Sequence, residues 1–114
     1  MSKILSLTFD TADLKLKPEP PENKAPTATE LTRRIIGNMI YMYSEQARGL
    51  TKIERGQAYW LQDNLKTASE GGQLELSLPD DVFGFLRKLF RDTKANPDKI
   101  LQCVERNIDN VPMA

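Results

Sequence analysis

A lone thiol, an adjacent pair of carboxylates and an adjacent pair of glycines are the residues whose types and spacing invite a chemical reading. Nucleophilic catalysis needs a thiol or hydroxyl beside a base that deprotonates and orients it. Cys103 is the only cysteine among 114 residues, and the chain has no histidine to serve it. It adjoins Val104 in a segment patterned as an amphipathic helix, so it reads as a small half-buried residue. Acid–base work by paired carboxylates needs two acids in one cleft with their pKa values driven apart. Asp80-Asp81 instead follows Pro79 in the first turn of an expected helix, where carboxylates complement the helix dipole. Calcium needs more oxygen ligands than this pair supplies, and EF-hand spacing is missing. Gly71-Gly72 lacks the following Lys-Ser/Thr of a Walker loop and reads as a helix stop. The expectation is a non-enzymatic protein without cofactor or metal.

Sixteen basic residues balance sixteen acidic ones, so no net field draws the chain to nucleic acid or to an anionic membrane. A hydrophobic share of 39% with 28% charge is ordinary for a globular chain and argues against wholesale disorder. The length suits one domain with a modest core. One cysteine forms no internal disulfide, and Asp10 and Asp13 interrupt any apolar core a leader would need. No run approaches the roughly 18 apolar residues of a membrane span. A cytoplasmic setting without membrane contact is expected.

The elements that must position any functional residue divide at a proline-rich joint. Residues 1–17 read as a β arm: Leu5, Leu7 and Phe9 alternate with Ser6 and Thr8, and Leu14 and Leu16 with Lys15 and Lys17. A hairpin between the two halves is one form of this arm, although an Asn-Gly type of turn is missing. Residues 18–26, with Pro18, Pro20, Pro21 and Pro26, form a semi-rigid linker. Residues 27–111 read as a helical domain. Thr27 with Glu30 and Thr51 with Glu54 fit capping boxes that start two helices, with Gly49 and Gly71-Gly72 as their stops. Short spacing makes these two helices a hairpin or sharp corner. Leu74, Leu76 and Leu78 alternate as a short strand. Pro79 opens a third helix striped by Val82, Phe83, Leu86, Leu89 and Phe90, and Asn96-Pro97 opens a fourth ending at Pro112. The class is α+β, mainly α: four helices, an extended or hairpin N-terminal arm and one short internal strand.

The arm carries the best functional argument, because an isolated hairpin is marginal in water. Leu5, Leu7, Phe9, Leu14 and Leu16 need a cover, either the chain's own Leu74–Leu78 strand or another polypeptide joined by strand addition. The linker's reach favours pairing in trans. Phe85, off the third helix's stripe, either meets a partner or is covered by a second helix, and one of Tyr59 and Trp60 is a further exposed-aromatic candidate. The leading expectation is a protein–protein interaction module: an assembly, adaptor or inhibitory protein, of the type of accessory components in bacterial or phage assemblies, as a homo-oligomer or part of a larger complex. The alternative is a small DNA-associated regulator that meets phosphates with Arg48, Lys52 and Arg55 at the corner, or with Arg87, Arg91 and Lys94 on the third helix.

Overall fold

Capping chemistry sets most of the element boundaries. The computed structural model describes residues 2–112. It places strand β1 at Ser2–Ser6, helix α1 at Ala28–Gln46, helix α2 at Lys52–Gly71, strand β2 at Glu75–Pro79, helix α3 at Asp80–Asp92 and helix α4 at Lys99–Asp109. This is the expected α+β, mainly helical class. At the start of α2 the capping box is complete: Glu54 N donates to Thr51 Oγ1 (3.1 Å) and Thr51 N donates to Glu54 Oε1 (3.0 Å). At α1 it is half-formed. Thr27 Oγ1 accepts from Glu30 N (3.2 Å), but the Glu30 carboxylate is turned to Ser69 Oγ (2.6 Å) and to Arg33 and Arg34. Helix α4 starts later than Asn96-Pro97, because Asp98 Oδ1 accepts from Leu101 N (2.7 Å) and acts as the cap.

The expected hairpin within residues 1–17 does not form. Leu14 closes a single 3-10 turn at Ala12–Leu14, and Lys15 is left-handed at φ 51°. Instead β1 lies antiparallel to β2, pairing Lys3 with Leu78 and Leu5 with Leu76, and the ladder extends through Leu7 N to Leu74 O (2.9 Å). Strand alternation then sends Leu5 and Leu7 inward beside Leu76 and Leu78. In this chain Leu5 and Leu7 are therefore covered in cis by the internal strand, the first of the two covers expected for the arm. A linker long enough to reach a neighbour also reaches home, since loop closure grows only slowly with length.

Helices α1 and α2 run antiparallel. Tyr43 meets Glu54 near the corner, and Glu30 meets Ser69 at the far end. Helix α3 packs beneath the sheet with Val82, Phe83, Phe85, Leu86 and Leu89 buried, and Val104 and Ile108 of α4 complete the core. Thr29 Oγ1 donates to Gln73 O (3.0 Å), which ties the start of α1 to the entry of β2. Outside this core run residues 8–27, held by a bidentate pair from Arg34 to Glu19 (2.7 and 3.0 Å) and by Asn107 Nδ2 donating to Thr8 O (2.8 Å). Among the described residues no helix is long and apolar enough to cross a membrane.

Candidate interaction surface

The residues that invited a chemical reading lie in structural settings. Cys103 is half-buried on α4 and makes no hydrogen bond among the described residues. Asp81 accepts from Gln57 Nε2 through its carbonyl (3.3 Å), which ties α3 to α2. Gly72 is the left-handed cap of α2. Among the described residues no three metal-ligating side chains come together.

The expected partner-binding residues are split between interior and surface. Leu5 and Leu7 are 1% and 0% exposed, and Phe85 is 4% exposed with its ring edge-on to Tyr43 (centroids 6.2 Å). In this structure these side chains present no face to a partner. Phe85 sits off the stripe because α1, too, packs on α3. Phe9, Leu14 and Leu16 are half-buried, and the first two line a surface cavity with Cys103 and Arg106.

The basic residues of α3 are dispersed. Arg91 holds Asp92 (2.8 Å), and Lys88 turns inward to Glu54 (3.2 Å). The backbone of Lys94 is clamped at both its N–H and its C=O by the Gln46 amide (2.9 Å each). Arg87 and Arg91 line a groove of about 730 Å³ that the acids Asp80, Glu105 and Asp109 line as well. By contrast Arg48, Lys52 and Arg55 stand exposed around the α1–α2 corner, and none of them meets a carboxylate among the described residues.

The α1–α2 hairpin has an outer face that the sequence reading did not assemble. Arg33 and Gly37 of α1 and Gln62, Asp63 and Lys66 of α2 line a cavity of about 300 Å³ between the helices. Residues three and four apart share a helix face, so Tyr41 follows Gly37, and Tyr59 precedes Gln62 and Asp63, each one turn nearer the corner. Arg55 and Lys52 continue the line beyond Tyr59. Tyr41 and Tyr59 are 67% and 64% exposed, and Ile53 in the first turn of α2 is 75% exposed. The expectation that one of Tyr59 and Trp60 would be exposed holds for Tyr59, while Trp60 is half-buried against the core. A Cβ at Gly37 or at Gly56 would meet nothing within 4 Å. Each glycine weakens its helix by up to about 1 kcal/mol with no internal packing gained. Tyr41 was legible in principle, as an aromatic lying off the Leu31–Ile35–Met39–Tyr43 stripe.

A buried carboxylate fixes the geometry of this corner. Glu54 accepts from Thr51 N (3.0 Å), Tyr43 Oη (2.7 Å) and Lys88 Nζ (3.2 Å), joining the cap of α2 to α1 and α3. The Thr51 backbone donor, working against burial and helped by Tyr43 and Lys88, lowers its pKa to about 2. The Lys88 ammonium also lies 5.7 Å from the centre of the Tyr43 ring. These bonds hold the end of α1 and the start of α2 in one orientation, so the exposed side chains beside them are presented on a rigid base. No protein-family model, curated protein or solved structure matches the chain.

Proposed function

We propose that the chain is a non-enzymatic protein–protein interaction module, an assembly, adaptor or inhibitory protein, that docks its partner on the outer face of the α1–α2 hairpin. The observation that carries this reading is the exposure of Tyr41 and Tyr59 along that face, with Arg55 one turn from Tyr59, at a corner held by the Glu54 cluster. Tyrosine and arginine dominate binding hot spots, because each offers large area with a polar end. The partner belongs to an oligomer or larger complex, and a cytoplasmic setting suits a protein whose one cysteine has no disulfide partner in its own chain. Leu5 and Leu7 of the arm serve the module from inside, as part of its core, and residues 18–26 link the arm to the helical body at 27–111.

Photo-crosslinking side chains placed at positions 41 and 59, in the chain expressed in its own source, test the reading. One dominant adduct from both positions, missing from a control at exposed Lys24 and lost when Tyr41 and Tyr59 are replaced by alanine without a change in melting, is expected. Equal labelling from position 24, or no adduct at 41 and 59, would sink it. The unpaired Arg48, Lys52 and Arg55 favour a second reading as a DNA-associated regulator. In that case affinity for duplex DNA would fall steeply as salt rises.

A further inference from the structure

We infer that the corner face takes an acidic polypeptide segment whose carboxylates surround an aromatic or aliphatic anchor. The inference rests on the protein-binding reading above and names the chemistry of the partner. Three observations carry it. First, most arginines elsewhere are answered from within: Arg33 and Arg34 hold Glu30, and Arg91 holds Asp92. Arg48, Lys52 and Arg55 are answered by no carboxylate among the described residues, although the chain has as many acids as bases.

Second, Arg48 occupies a left-handed position at φ 61°. The left-handed residue after a helix is usually glycine, because a side chain there crowds the following carbonyl. Gly49 follows at φ 112°, so glycine fills the second of two successive positive-φ positions and an arginine is held in the first. Strain of this kind persists where a side chain has work to do at that spot.

Third, the cations frame apolar groups and not a continuous basic track. Tyr59 lies one turn from Arg55 on α2 and Tyr41 one turn from Gly37 on α1, and Ile53, exposed in the first turn of α2, adjoins Lys52 in sequence. Farther along the same face comes Asp63 beside Lys66, and Glu45, one turn on from Tyr41, lies between that ring and the corner. A nucleic-acid backbone carries a charge at every step and would run into these acids. Carboxylates placed at intervals around a hydrophobic anchor meet the cations and avoid the acids, and Ile53 and the tyrosine rings receive the anchor. Charge complementarity of this kind sets specificity and encounter rate.

The full chain is titrated by fluorescence anisotropy against three dye-labelled probes: a glutamate–tyrosine random copolymer, poly-glutamate and a twenty-nucleotide oligo(dT). The copolymer should bind more tightly than poly-glutamate or oligo(dT), and Lys52→Glu with Arg55→Glu should weaken it at least tenfold. These replacements place acids in the first turn of α2, where the helix dipole favours them, so circular dichroism and melting should show an intact fold. Tighter binding of oligo(dT) than of the copolymer overturns the inference in favour of a nucleic-acid surface. Copolymer binding that is absent, that fails to exceed poly-glutamate, or that ignores the charge reversal also overturns it. The two readings fail separately. A crosslinked partner at positions 41 and 59 that survives Lys52→Glu with Arg55→Glu removes the acidic chemistry but keeps the protein-binding reading, whereas the absence of any adduct removes both.

Discussion

The exits of α1 and α2 are built on the same hydrogen-bond pattern from different residues. After α1, Gly49 N donates to Ser44 O (2.7 Å) and Arg48 N to Glu45 O (3.4 Å), with Arg48 in the left-handed position. After α2, Gln73 N donates to Ala68 O (2.9 Å) and Gly72 N to Ser69 O (3.4 Å), with Gly72 in that position. Both satisfy the helix's last carbonyls in the Schellman arrangement. The glycine exit leads inward to β2 and so to the strand that Leu5 and Leu7 complete. The arginine exit leads to solvent, beside three exposed apolar side chains. The unstrained turn thus serves the core, and the strained one borders the face to which the function is assigned.

Four perturbations break or sharpen that contrast. The largest acts on what the α2 exit supports. Leu7→Ala removes a fully buried side chain from the strand that pairs with Leu74, and should lower stability by about 2–5 kcal/mol in urea titration. Next is Glu54, the anchor of the α1 exit. Glu54→Gln leaves one acceptor oxygen and turns an amide donor either on the Thr51 N–H or on Lys88 and Tyr43, and should lose about 1–3 kcal/mol near neutral pH. The native protein should also lose stability more steeply in acid than the variant, which keeps only the contributions of other carboxylates such as Glu30. Unfolded Glu54 takes its proton near 4.5 and folded Glu54 only near 2, so its stabilisation is complete above about pH 4.5 and is lost as pH falls towards 2. Melting curves across that range check the sign. Third, Gly72→Ala should lose about 1–2 kcal/mol by forcing a Cβ into the left-handed turn. Smallest, and opposite in direction, Arg48→Gly should gain up to about 1 kcal/mol while weakening the partner. If both exits respond to substitution with the same sign, the contrast between them is void.

Much of the architecture could be read from local pattern, and the exceptions share a cause. Thr51 and Glu54 announced α2 because both halves of their cap lie within one turn. The matching signal at Thr27 and Glu30 gave the right start for α1, although Ser69, thirty-nine positions away, claims the Glu30 carboxylate. Leu14 and Leu16 alternate like a strand, yet a ladder needs a partner, and β1 found its partner at β2, 69 to 77 positions along. Phe85 was open to two readings because a helix wheel does not say how many neighbours a helix has. The corner cations Arg48, Lys52 and Arg55 were visible as a cluster, whereas Tyr41 joined them only when two helices were laid side by side. Arg48's strain was invisible beside Gly49, which drew the eye as the helix stop.

The route of residues 8–27 around the outside makes covalent continuity between β1 and the helices a convenience of concentration. A single protease cut near Lys24 would leave every strand hydrogen bond in place, yet it would turn one folded molecule into a complex of two pieces. From then on dilution would act as a denaturant, because mass action would govern a contact that tethering now holds together.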